Sequence, residues 1–283
     1  MIFPSSSSRL APFQQPDCRV DDRNGAGIWS RGSAVASPED GSIYVATGNG
    51  LFNANAGGYY YADSIIRLRP GLPNQTASIV MDSYTPADYV NMQDQDYDLG
   101  SSSPVMLPPV PASKTPLMLV QASKDYKLRL INREDMSGQG GSGHVGGEVH
   151  QVNYTDGFVL TAPLAWQDPA SGQVWVFVVS TNDEQPVAGF HAYQILTDAA
   201  GASTLYLNYT IVDAGTSPFV AADVLYVQIL GAIRALDPRT GKILWTSAPA
   251  MATDAGLHWQ SPIVVNGRVF AVDNSGGMYA YGL

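Results

Sequence analysis

"ALDPRTGKILW", residues 235–245, reads as two short strands joined by a tight turn. Asp237 and Thr240 are placed to cap that turn with their side chains, and Gly241 suits its left-handed position. Trp245 supplies a large ring for packing between sheets. Outward from this phrase, one pattern recurs along the chain. A small residue, usually next to proline, leads to an apolar pair, a turn, and a β-branched or aromatic run. It occurs at "GSAVASPEDGSIYVAT" from Gly32, "SSPVMLPPVPASKTPLMLVQAS" from Ser102 and "TAPLAWQDPASGQVWVFVVST" from Thr161. It returns at "TSPFVAADVLYVQIL" from Thr216 and "QSPIVVNGRVFAVD" from Gln260. A third run follows each: "DSIIRLRP", "KLRLINRED", "GFHAYQI", "AIRALDP" and "GMYAYGL". Often a fourth follows, such as "SIVMDSY" or "KILWTSA".

These runs are short, apolar and bounded by Gly, Pro, Asn and Asp, which marks strands. No window holds helical periodicity beyond a turn or two. Four antiparallel strands at a period of roughly 40–60 residues predict an all-β propeller of about five blades, the last with three strands. A blade buries both faces against its neighbours, so its middle strands are apolar on both sides. Residues 27–283 read as the propeller, and 1–26 as an irregular segment that is a candidate for the last blade's missing strand. Three closures stay open: a small closed ring, an open arc, or a homodimer in which each chain completes the other's ring.

Composition narrows the function. Of 283 residues, 45% are hydrophobic and only 14% charged, with a net charge of −10. An acidic, lysine-poor surface repels phosphate backbones, so nucleic acid is excluded as a partner. No apolar run reaches the ~18 residues of a membrane span, and "MIFPSSSSRLAPF" lacks the pattern of a signal peptide. Cys18 is the sole cysteine, so no internal disulfide forms. The sequons at Asn74, Asn153 and Asn208 matter only in a eukaryotic secretory pathway.

"QDQDYDLGSSSP", residues 93–104, sets Asp94, Asp96 and Asp98 two apart. On a strand they would share one face and repel unless solvated or metal-bound. An EF-hand loop does not fit, because Gly100 comes one place late and Val105 stands where Glu is needed. The residues alone favour a solvated turn, capped by Asp and Ser, that leads into a strand.

The "ALDPRTGKILW" phrase resembles the tryptophan-docking repeat of the pyrroloquinoline quinone (PQQ)-like propellers. That family holds the quinoprotein alcohol dehydrogenases and an outer-membrane assembly lipoprotein of the same fold without cofactor. The likeness runs from about Gly27 to the C-terminus and is to the C-terminal part of rings of about eight blades. "SIYVATGNG" resembles the strand whose Asn binds the catalytic calcium, which implies Asn49 as a metal ligand. "DQDYDLGSSSP" resembles the segment of the catalytic Asp, which takes the alcohol proton. That implies Asp96 as base and metal neighbour, with Asp94 or Asp98 the fallback. "QASKDYKLRLINRED" resembles the strand pair whose basic residue contacts the quinone, which implies Lys124. Arg31, in "GIWSRGS", and Trp259, next to His258, are expected to line the channel or central pocket. The adjacent-cysteine pair of many members is absent. The resemblance thus implies PQQ and calcium as cofactors, a small-molecule substrate, and a periplasmic or secreted location. The alternatives are a noncatalytic scaffold for a protein partner, and a hydrolase working in the axial pocket.

"MSGQGGSGHVGGEVHQ", residues 136–151, lacks the G-K-[ST] of a phosphate loop and reads as a long flexible excursion. His144, Glu148 and His150 match no metal spacing and read as loop residues. His191 is expected to be a packed or edge histidine. No G-x-S-x-G is present, which leaves Ser30 and Ser101 to Ser103 as the candidate nucleophiles, with His258 or His144 as partner.

Overall fold

The computed structural model describes residues 26–29, 34–71, 79–154, 157–181, 189–212, 215–248, 251, 260–273 and 275–282. Among the described residues four sheets have four strands and the last has three, each in simple antiparallel order. The first comprises β1 (Val35–Ala36), β2 (Ile43–Ala46), β3 (Ile65–Leu68) and β4 (Val80–Tyr84). The second follows with β5 (Val105–Met106), β6 (Met118–Ala122), β7 (Lys127–Asn132) and β8 (His150–Asn153). The third has β9 (Leu164–Gln167), β10 (Val174–Val179), β11 (Gly189–Thr197) and β12 (Ser203–Val212). The fourth has β13 (Phe219–Ala221), β14 (Val224–Ile229), β15 (Ala232–Leu236) and β16 (Ile243–Thr246). The fifth has β17 (Ile263–Val265), β18 (Arg268–Val272) and β19 (Met278–Gly282).

The sheets stack face to face as propeller blades, and β10 shows why. Val174, Val176 and Val178 pack with β6 and β7 of the second sheet. Trp175, Phe177 and Val179 point the other way, against Leu225, Val227 and Ile229 of the fourth. Side chains alternate across a strand, so a strand between two sheets has no polar face. Each such side chain contributes about 1.5–3 kcal/mol of burial, which is available only when both neighbours are in place. A further core joins the first and second sheets through Tyr44, Ile65, Leu119 and Ile131. Another joins the fourth and fifth through Ile233, Ala235, Val269 and Ala271.

The 235–245 turn forms as its residues require. The Arg239 N–H donates to Asp237 Oδ1 at 2.8 Å, and Gly241 has φ +70°. Trp245 meets Tyr281 of β19 edge to face, with ring centroids 5.5 Å apart. The outward face of the last sheet stays open: Ile263, Val265, Val272 and Met278 are all exposed.

One expectation is corrected. The 136–151 stretch is no free excursion. The Gly143 N–H donates to Ser83 Oγ at 2.8 Å and the Gly146 N–H to Thr85 O at 2.8 Å. A Cβ on Gly143 would lie 2.5 Å from Ala54 O, so glycine allows this loop to lie directly on the first sheet's loops. The aspartate run is a connection between strands, as expected. Asp94 ends helix α1 (Tyr89–Asp94), and Asp98 precedes a 3-10 turn, Leu99–Ser101. Among the described residues, no helix is long and apolar enough to cross a membrane. The proposed role of residues 1–26 in the last blade falls almost wholly outside the described residues.

Candidate functional site

In an alternating sheet, the link from second to third strand leaves at the same end as the link to the next sheet. Three connections of this type meet here. They are the loop after β2, the link from β4 to β5, and the β6–β7 turn. They carry Asn49, Asp96 with Asp98, and Lys124 respectively.

These side chains form one network. Asn49 Nδ2 donates to Asp96 Oδ1 at 2.9 Å, and the Asn49 N–H donates to Asp98 Oδ1 at 2.9 Å. Lys124 Nζ donates to Asp98 Oδ2 at 2.5 Å and to Asp96 Oδ2 at 3.1 Å. The Lys124 ammonium also lies 5.3 Å from the centroid of the Trp29 ring. Exposure separates the two acids: the Asp98 side chain is 3% exposed, Asp96 79% and Lys124 19%. Burial alone would depress the Lys124 pKa, but hydrogen bonds to Asp98 and Asp96 outweigh it and the net shift is upward.

Close backbone approach makes this possible. A Cβ on Gly48 would sit 2.7 Å from Asp98 Oδ1, and one on Gly100 would sit 2.6 Å from the Thr47 carbonyl carbon. Any larger residue would push the Asn49 loop off the Asp98 loop. From below, Gln121 Nε2 donates to Leu99 O at 2.8 Å, and Ser102 Oγ to Ala122 O at 2.6 Å. The Lys124 turn is held by its neighbour. Asp125 accepts from Ser123 Oγ at 2.5 Å and pairs with Arg129, whose side chain is fully buried.

Asp98 therefore departs from the solvated-turn reading, since it is buried and ion-paired. Asp94 is exposed at the end of α1 and joins none of the cluster's hydrogen bonds among the described residues. Arg31 and Trp259 lie outside the described residues, as do Ser30, His258 and Cys18. Ser101 donates to Val159 O at 2.8 Å and Ser102 to Ala122 O, so both hydroxyls serve the fold. Glu148 accepts from Tyr84 and His150 from the Leu205 N–H, so these two residues serve different neighbours. His191 is a packed histidine, stacked on Tyr154 at 6.0 Å. Sequence reasoning missed Asp63, Asp125 and Arg129. Of these, only the adjacency of Asp125 to Lys124 was a signal.

One observation bears on calcium. Among the described residues Asn49 Oδ1 is buried with no hydrogen-bond partner, while Nδ2 of the same amide faces Asp96. An unpaired buried amide oxygen is a ligand that an oxygen-seeking cation can take. Among the described residues, no group of three or more His, Cys, Asp and Glu is arranged to hold a metal. The Lys124 ammonium already lies on both carboxylates, which leaves Asn49 Oδ1 as the oxygen of this cluster that a cation would meet unpaired.

The family model described as outer membrane protein assembly factor BamB matches residues 146–282, just under half the chain. Among solved structures, a europium-containing methanol dehydrogenase aligns at TM-score 0.53 and 16% identity, over 91% of this chain and 50% of that one. The AfRom2 CNH domain aligns at TM-score 0.51 and 12% identity, over 91% of this chain and 68% of that one. This chain spans half the length of the methanol dehydrogenase structure. No curated protein sequence matches.

Proposed function

We propose that this β-propeller is of the PQQ-like kind and that its Asn49–Asp96–Lys124 cluster is one side of a quinoprotein-dehydrogenase-type site that takes PQQ, calcium and a small alcohol. The observation that carries this reading is convergence. Residues 49, 96 and 124 come from separate stretches, and the family resemblance assigns them to one pocket; here they share one hydrogen-bonded network.

The chemistry such a cofactor supplies when bound is two-electron acceptance at a metal-polarised quinone carbonyl. This chain's residues divide the remaining tasks. Asn49 Oδ1 offers a neutral oxygen to the cation, and Asp96 a charged one. Each Asp96 oxygen accepts one hydrogen bond from Asn49 or Lys124 and keeps a second lone pair, so the carboxylate can take the alcohol proton. Lys124 would supply a cation to a bound quinone, and buried Asp98 fixes the direction of its ammonium. A location outside the cytoplasm belongs to the same reading.

Reconstitution tests it. Purified protein titrated with PQQ and calcium is expected to bind the quinone and to reduce a dye when primary or secondary alcohols are added. Absence of both binding and turnover rejects the proposal. That result would favour a noncatalytic scaffold, a reading supported by the assembly-factor match over residues 146–282, which excludes the cluster.

Pairing of two chains is part of the proposal. It is supported by the open apolar face at Ile263, Val265 and Met278, where a sixth sheet would pack. Light scattering is expected to give twice the chain mass, and Met278→Lys with Ile263→Lys the mass of one chain. A wild-type monomer at all concentrations would sink this idea.

A further inference from the structure

Asp63 lies directly behind the cluster and is fully buried. Its N–H donates to Gly48 O at 3.0 Å, and its Oδ1 accepts from the Leu99 N–H at 3.0 Å. One residue thus grips the backbone next to Asn49 and the backbone next to Asp98. We propose that Asp63 is a positioning residue: it registers the Asn49 loop against the Asp98 loop, and through Asp98 it sets where Lys124 points.

Three features beyond those two bonds support this. The chain accepts strain to put Asp63 there, because its φ is +45°, a conformation that non-glycine residues seldom adopt. Its Oδ2 is buried with no hydrogen-bond partner, so the carboxyl is not there to be saturated with bonds. Its charge environment is also unusual. Burial raises its pKa to about 7, the Leu99 N–H opposes the rise, and the charges of Asp98, Asp125 and Asp96 add to it. Lys124 answers Asp98 and Asp96 from above, and Arg129 answers Asp125 from within the second sheet.

A carboxyl whose folded pKa is raised favours folding as the neutral acid. That contribution is complete below the ordinary Asp value of about 4 and is lost as pH rises through 7. Ionised Asp63 would hold the Leu99 N–H more strongly but add a buried negative charge beside Asp98 and Asp96, so the two loops should shift against each other as pH rises through about 7.

The inference rests on the proposed site in that it assigns Asn49 and Asp98 a purpose, but its test needs no cofactor. Trp29, under the Lys124 ammonium, is the reporter. The protein is labelled with 5-fluorotryptophan, and Trp29→Phe assigns the resonance. In the wild type this resonance should shift with a midpoint near pH 7. In Asp63→Asn, which keeps the acceptor and removes the charge, the transition should vanish while the low-pH position is retained. In Asp63→Ala the Leu99 N–H loses its acceptor, and Lys124 should react with an amine-acylating reagent on the order of tenfold faster, as loss of one buried hydrogen bond implies. Variants that lower thermal stability yet leave the Trp29 resonance and Lys124 reactivity unchanged would make Asp63 merely structural and overturn the proposal. A pH transition that survives in Asp63→Asn would overturn it too. Failure of PQQ binding alone would reject the proposed function and leave this result standing.

Discussion

Asp96→Asn should lower alcohol-dependent dye reduction by reconstituted protein about 100- to 10,000-fold, the usual contribution of a general base. The chain itself should stay folded. The Asp96 side chain is 79% exposed, and its salt bridge to Lys124 is of the kind that contributes at most about 1 kcal/mol. Asparagine keeps an oxygen to accept from Asn49 Nδ2 and loses only the capacity to take a proton. Asp98→Asn is the control. It should weaken quinone binding through a misdirected Lys124 and leave kcat largely intact, because buried Asp98 has no open side toward an alcohol. If Asp98→Asn abolished turnover and Asp96→Asn did not, Asp98 would be the base. If neither changed it, the cluster would not be the catalytic centre.

Arg129→Met should cost the fold about 3–5 kcal/mol, the penalty for stripping one partner from a buried ion pair. Arg129 is fully enclosed, and Asp125 is 3% exposed. Burial would push the Arg129 pKa down, but the Asp125 charge more than reverses it, so the guanidinium is firmly held as a cation. Lys127 Nζ, 3.8 Å from Asp125, softens the loss without replacing a guanidinium that donates to both carboxylate oxygens. Denaturant unfolding of Arg129→Met with and without Asp125→Asn gives the check. The double variant should recover most of the loss, since it buries no orphaned charge. A single variant as stable as wild type would mean that Asp125 finds water. The effect should extend to the site, because the same turn presents Lys124 one residue away.

Much of the architecture was legible before any coordinates. Gly241, Asp237 and Thr240 form their turn through bonds that span at most five residues. The alternation in "QVWVFVV" marked a strand apolar on both faces, and β10 is such a strand. The cluster was legible only through family resemblance, which picked Asn49, Asp96 and Lys124. Three carboxylates at alternate positions carry no sign of which one is buried.

What the sequence by itself determined is therefore local and periodic: where strands run, where turns break them, how many sheets result, and that neighbours must cover both faces. Period-two alternation and turn chemistry act over a few residues, so a linear reading captures them. The tertiary structure alone decided that Asp98 is enclosed while Asp96 is open, that Asp63 holds its proton up to about pH 7, and that Arg129 braces the Lys124 turn. Each of these depends on what remote segments pack above a side chain. Gly48 against Asp98 and Gly100 against Thr47 are such contacts, each joining residues about fifty positions apart. Burial sets the electrostatic worth of a charge, and burial belongs to the assembled fold.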